Sequence, residues 1–366
     1  MIDKMNIIFR VDSGLNIGTG HLLRCITLAK LLTQSSVHNC VFISRPHLGN
    51  VSELVLENNF ILLMLPDPSD SVQHEDCKTW LGASQIDDAE QTHSLLAKHK
   101  IINIDLLIID HYSIDYEWEG TFLDKSLKIF VIDDLADRYH ECDFLLDQNI
   151  APNYRTRYKN LVPDRCEMFL GISYCLLKED FFELRKSAKV RYSINKLLIF
   201  FGGVDKENCT ETLLLSLSDR IKNFERVDVV VGKANPNKNA VERLCLKYKN
   251  CCFHEQVSSM ATLIALSDFS IGACGATTGE RIFLGLPSIV FSLAANQLEV
   301  AKHLHEAKYV YYLGDHSCIQ KGKVENAIEN YLGTEEKRRK ISSRLLDISE
   351  SNIVSLINKL NFNLTD

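Results

Sequence analysis

His21 stands where an apolar run, Ile7-Ile8-Phe9, passes through Arg10-Val11-Asp12-Ser13-Gly14-Leu15-Asn16-Ile17-Gly18-Thr19-Gly20 into His21-Leu22-Leu23-Arg24. A neutral imidazole in such a place can take a proton from water, because an ordinary histidine titrates near pH 6.5. The apolar run reads as a buried strand, and Leu22, Cys25, Ile26, Leu28, Ala29, Leu31 and Leu32 recur at helical spacing. Between them Gly14, Gly18 and Gly20 permit a tight turn and close approach of backbone to a ligand. The helix that follows aims its unpaired N–H groups and positive dipole end at the same spot. The glycines alone fit a plain packing turn equally well.

Further polar positions fall just after predicted strands. Phe200-Phe201-Gly202-Gly203-Val204-Asp205 ends a strand in two glycines, either to approach a phosphate or merely to turn. Gly272-Ala273-Cys274-Gly275-Ala276-Thr277-Thr278-Gly279-Glu280-Arg281 is more specific. Small residues there open a helix whose N–H groups, with Thr277 and Thr278, suit an anion, while Glu280 has two oxygens for the hydroxyls of a ribose. The competing reading makes Thr277 a helix cap with Glu280 at its third position. Asn296-Gln297 precedes a helix and equally suits an N-cap. Asp110-His111-Tyr112 and Asp133-Asp134 each follow an apolar run, as site residues or as ordinary turn and loop residues.

The elements that must position these groups alternate. Strands are expected at Asn6–Val11, Val41–Ser44, Phe60–Leu65, Leu106–Asp110, Ile129–Asp133 and Phe144–Asp147, with helical stretches such as Gln85–Lys98 between several of them. A second set follows at Leu197–Phe201, Val227–Val231, Cys252–Glu255, Phe269–Ile271, Ser288–Phe291 and Val310–Leu313. Strands alternating with helices specify parallel, doubly wound sheets. The segment 148–196 is irregular and mixed, so the junction is expected near Gly171 to Ala188. That gives an N-terminal Rossmann-like domain, 1–172, carrying the histidine, and a C-terminal Rossmann-like domain, 173–366, for the nucleotide. Paired sheets of this kind bind ligands in a cleft at the carboxyl ends of their strands.

Composition narrows the chemistry. A chain of 366 residues exceeds one ordinary hydrophobic core, in keeping with two domains. The net charge of -7 lacks the basic face of a nucleic-acid binder. No apolar run reaches the roughly 18–20 residues of a membrane span, and Met1-Ile2-Asp3-Lys4-Met5-Asn6 has no signal-peptide core, so a cytoplasmic protein without membrane contact is expected. The 12 cysteines are scattered without a Cys-x-x-Cys pair, which favours buried reduced thiols over a zinc site. His303 and His305, two apart on a helix, face different ways. No metal and no cofactor are expected.

Taken together, seven motifs in order resemble one family: the UDP-2,4-diacetamido-2,4,6-trideoxy-β-L-altropyranose hydrolases of pseudaminic acid biosynthesis, relatives of MurG-type glycosyltransferases. They are Arg10-x-Asp12 with Gly18-x-Gly20-His21-x-x-Arg24, Asp110-His111-Tyr112, Ile132-Asp133-Asp134, Leu170-Gly171-x-x-Tyr174-x-Leu176-Leu177, Phe201-Gly202-Gly203-x-Asp205, the Gly275–Pro287 segment, and Asn296-Gln297. The resemblance implies a glycosyltransferase-B fold, two Rossmann-like domains across a cleft. It also implies inverting hydrolysis of a UDP-sugar at the anomeric carbon. In that reading His21 is the general base, Asn296 and Tyr112 complete the catalytic set, and Arg10, Asp12, Gly18, Gly20, Arg24, Gly202, Gly203, Gly275, Ala276, Thr277, Thr278, Glu280 and Gln297 contact the substrate. Gly279 departs from the bulkier residue expected before Glu280. The substrate is then a small UDP-sugar and the protein a monomer; transfer of the sugar to an acceptor hydroxyl is the rival reaction.

Overall fold

Apolar runs form strands in this chain because a parallel sheet covered on both faces buries nearly every strand residue. In a computed structural model, which describes residues 4–34, 37–68, 77–124, 126–149, 153–348 and 351–362, two such sheets are built. The first contains β1 (Asn6–Val11), β2 (Asn39–Ser44), β3 (Ile61–Met64), β4 (Leu106–Asp110), β5 (Lys128–Ile132), β6 (Phe144–Asp147) and β7 (Glu167–Leu170). Their order is β3-β2-β1-β4-β5-β6-β7, all parallel. The second contains β8 (Lys196–Phe200), β9 (Arg226–Val231), β10 (Cys251–Glu255), β11 (Phe269–Ala273), β12 (Ser288–Ser292) and β13 (Tyr311–Asp315), in the order β10-β9-β8-β11-β12-β13 and again parallel.

In both sheets the strand order reverses direction once, between β1 and β4 and between β8 and β11. Successive connections leave in opposite directions at these points, opening a crevice at the carboxyl ends of the central strands. Residues just beyond β1 and β4, or β8 and β11, are therefore the ones a ligand can reach.

The chain folds into two compact units. Residues up to 149, 153–176 and the terminal stretch from 351 form one, and residues 177–348 fall in the other. The helix Ser351–Phe362 thus joins the first unit although it follows the second in sequence. Ile353, Leu356 and Leu360 bury its apolar stripe, Asn361 Oδ1 lies 3.2 Å from His38 Nε2, and Lys359 pairs with Glu167. The interval 148–196, expected to be irregular, contains β7 and the helix Glu179–Lys186. β7 has only four residues at a sheet edge and exposes Met168, so it lacks the unbroken apolar run that announces a central strand. Among the described residues no helix is long and apolar enough to cross a membrane.

Candidate active site

The turn after β1 is closed by a reciprocal pair between Gly14 and Gly18, with N···O distances of 3.3 and 2.8 Å. Gly18 adopts φ +79°, where a side chain is strained, so the turn depends on glycine there. α1 (Gly20–Thr33) starts at once, placing His21 in its first turn, while a Cβ at Gly20 would meet no atom within 4 Å. Helical spacing then stacks Arg24 one turn below His21.

Both side chains reach across the switch point to the end of β4. His21 Nδ1 lies 2.5 Å from Asp110 Oδ1, and Arg24 grips both Asp110 oxygens, one through Nη2 at 2.6 Å and the other through Nε. Cys25 Sγ adds a contact at 3.6 Å. Asp110 is fully buried, which by itself disfavours its charge; Arg24 and His21 outweigh that and hold the carboxyl well below the usual range. An ionised carboxylate only accepts, so the contact places a proton on Nδ1, and in the neutral ring the lone pair then lies on Nε2. That is the tautomer a general base requires.

Tyr112, two residues past β4, stands edge-on to His21 with ring centroids 4.6 Å apart. Its hydroxyl donates to Asp134 Oδ1 at 2.6 Å, and burial, reinforced by the Asp134 charge, pushes the phenol well above its ordinary pKa. Asp134 Oδ2 accepts from Arg24 Nη1 at 3.2 Å and Asn149 Nδ2 at 3.3 Å. Arg24 therefore ties together the carboxylate behind His21 and the carboxylate behind Tyr112. Asp110 and Asp134 were visible in the sequence only as polar residues ending strands. Their partnership with His21 and Tyr112 follows from β4 lying beside β1 at the switch point, with β5 beside β4.

Arg10 and Asp12, expected to meet substrate, are both fully buried and engaged within the protein. Arg10 binds Asp12 at 2.6 and 3.0 Å and Asp88 at 3.0 and 2.8 Å. Asp12 also takes the Arg45 backbone N–H at 2.7 Å, and Asp88 takes Arg45 Nη2 at 2.7 Å and Trp118 Nε1 at 2.9 Å. With these charges paired to one another inside the protein, the pair braces the turn from behind.

In the second unit, Gly202 adopts φ +98° after β8, and a Cβ at Gly202 or Gly203 would meet open space. After β11, the helix Thr277–Phe283 has Ala276 as its N-cap and no side-chain cap. Thr277 thus sits inside the helix, and the capping-box reading of Thr277 and Glu280 fails. Glu280 instead leaves Oε2 buried without a partner, and burial raises its pKa to about 7 against the opposing charges of Lys178 and Arg281. Arg281, fully buried, donates to Ala273 O at 2.6 Å and Thr278 Oγ1 at 3.0 Å, with Thr277 O at 3.2 Å. Gln297 Oε1 takes the Leu293 N–H at 2.9 Å, and its Nε2 lies 3.9 Å from the Cβ position of Gly275. Asn296 lies on the helix Ala295–Glu306, but its side chain is outside the described residues. Among the described residues, no group of three or more His, Cys, Asp or Glu is arranged to hold a metal ion.

No family model matches the chain. It is 26% identical over 313 residues to the UDP-2,4-diacetamido-2,4,6-trideoxy-beta-L-altropyranose hydrolase of Campylobacter jejuni, a similarity spanning 84% of this chain and 100% of the hydrolase. A spore coat polysaccharide biosynthesis protein of Bacillus subtilis, SpsG, is 23% identical over 59% of this chain and 63% of its own length. Among solved structures, MurG of Acinetobacter baumannii superposes with a TM-score of 0.63 at 14% identity, covering 98% of this chain and 100% of MurG. Arabidopsis thaliana UGT89C1 complexed with UDP gives 0.65 at 12% identity, with 98% and 100% covered. The chain therefore has the two-sheet fold of the glycosyltransferase-B class and is similar along its length to a UDP-sugar hydrolase.

Proposed function

We propose that this protein hydrolyses a UDP-linked 2,4-diacetamido-2,4,6-trideoxyhexose at the anomeric carbon, releasing UDP and free sugar for pseudaminic acid biosynthesis. The observation that carries the reading is the Asp110–His21 pair at the first switch point, which leaves Nε2 of His21 free to take a proton from water. The similarity to the Campylobacter jejuni hydrolase over its full length supplies the substrate class. Attack by water on the face opposite the phosphate inverts the anomeric centre. UDP is a good leaving group, and backbone N–H donors stabilise its growing charge by roughly 3–4 kcal/mol for each well-placed donor, so the reaction needs no metal.

In this reading Gly202, Gly203, Gly275, Ala276, Thr277 and Thr278 admit the nucleotide, with Glu280 on the ribose, Gln297 nearby and Asn296 at the sugar. The fold shared with MurG supports transfer to an acceptor hydroxyl as the second reading. One assay separates the two: the UDP-sugar is supplied without acceptor, in EDTA, and UDP and free sugar are followed by NMR. We expect turnover by the wild-type chain, and a loss of at least roughly 100-fold in His21→Ala with UDP affinity retained. Turnover that begins only when an acceptor is added would establish the transferase, and dependence on added magnesium would remove the metal-free step.

A further inference from the structure

The Tyr112 hydroxyl has its proton committed before any ligand arrives, because it donates to Asp134 Oδ1 at 2.6 Å. Asp134 is in no position to return a proton, since its other oxygen receives Arg24 Nη1 and Asn149 Nδ2. Three donors converging on one carboxylate fix it as an acceptor. Tyr112 accordingly turns only lone pairs toward whatever lies beside it. In its neutral form the neighbouring His21, with Nδ1 engaged by Asp110, carries its lone pair at Nε2. The two rings are edge-on neighbours with centroids 4.6 Å apart, and an acceptor on each of two adjoining side chains matches a nucleophile with two protons. Water has two O–H bonds, whereas an alcohol has one and would set an alkyl group against the second acceptor.

We propose that Asp134 is a positioning residue that fixes Tyr112 as a hydrogen-bond acceptor, so that His21 and Tyr112 together engage both O–H bonds of the attacking water and discriminate against alcohols. The inference rests on the hydrolase reading and names what makes it a hydrolase. In the step, the water oxygen bonds to the anomeric carbon as the bond from that carbon to the phosphate oxygen breaks. The bonding pair leaves with UDP. One water proton passes to His21 Nε2 and later to solvent, while the other stays on the new sugar hydroxyl, held by Tyr112 Oη.

The variants follow from donor bookkeeping. Tyr112→Phe deletes the acceptor. Asp134→Asn reverses it: Arg24 and Asn149 both require the amide oxygen, so the amide NH2 turns to Tyr112, donates to Oη and frees the phenol proton toward the nucleophile.

The test incubates the full chain with UDP-2,4-diacetamido-2,4,6-trideoxy-β-L-altropyranose in water–methanol mixtures and measures methyl glycoside against free sugar by NMR. This ratio does not depend on how much enzyme is folded, so a loss of stability does not move it. We expect the wild type to form less methyl glycoside than the molar share of methanol. Both variants should raise the ratio roughly tenfold, and the double variant no further. A ratio unchanged in both variants, even with reduced turnover, would overturn the proposal and leave the hydrolase reading intact. A rise in Tyr112→Phe alone would overturn the role given to Asp134. No cleavage by the wild type would remove the hydrolase reading and the proposal with it.

Discussion

The two switch points handle charge in opposite ways. At the first, the buried carboxylates around the turn have their cations: Asp12 and Asp88 share Arg10, Asp88 also takes Arg45, and Asp110 takes Arg24. At the second, the buried arginine has no carboxylate hydrogen-bonded to it among the described residues. Arg281 rests on carbonyl and hydroxyl oxygens, burial lowers its pKa to about 10, and Glu280 nearby keeps one oxygen unpartnered. A group that must move a proton needs its tautomer decided in advance, which pairing accomplishes. On the proposed reading the second switch point receives an anion and two hydroxyls, a task suited to unspent positive charge and an open acceptor.

The largest effect expected from this contrast is on stability. Asp88→Ala would strand Arg10 and Arg45 in the interior with one carboxylate fewer, and removing a single member of a buried charge network costs about 3–5 kcal/mol. Urea denaturation with a marked fall in midpoint would bear that out. A loss under about 1 kcal/mol would mean that water replaces the carboxylate and that the network is no brace. Next in size is a kinetic effect. Asp110→Asn keeps the shape but removes the charge that holds the Nδ1 proton of His21, and hydrogen bonds to charged groups contribute about 1.5–3 kcal/mol. A fall in kcat of about 10- to 100-fold is expected with KM little altered. An unchanged kcat would show that His21 keeps its tautomer without the carboxylate.

Much of this architecture could be read along the chain, because parallel strands buried on both faces spell apolar runs such as Leu106–Ile109 and Ile129–Ile132. Short elements with partial burial escaped, as β7 did. So did the return of the helix Ser351–Phe362 to the first unit, which depends on partners such as His38, 323 residues from Asn361. The same distance problem divided the site. His21 was legible from its glycine turn, but the bond to Asp110 spans 89 residues and exists only because β4 lies beside β1. Arg10 and Asp12 show the same dependence on distant partners. The resemblance implies substrate contact for both, and nothing in the sequence marks Asp88, itself held by Trp118, as the partner of Arg10 from 78 residues away.

The smallest and most discriminating effect belongs to Glu280. Its ordinary pKa of 4.5 is raised to about 7, so the unliganded protein holds a proton there across a range in which the unfolded chain would not. The folded state binds more protons between those values, and stability contributed by this group therefore falls as pH rises through the window. Glu280→Gln should match wild-type stability below about pH 4.5 and exceed it modestly above about pH 7, readable as a rise in Tm. Nucleoside binding has the opposite slope. If ribose hydroxyls donate to both oxygens, the carboxylate must be ionised, and uridine affinity should rise with pH by up to tenfold per unit until about pH 7 and then level off. Uridine is the ligand to use, because it carries no phosphate to titrate in the same range. Glu280→Gln should flatten this profile and weaken binding about tenfold at about pH 8, a loss in the range of one charged hydrogen bond. A variant that gains stability yet binds uridine like the wild type at every pH would show that the unpartnered oxygen faces something other than the nucleoside. The proposed nucleotide site would then rest on backbone N–H groups rather than on Glu280.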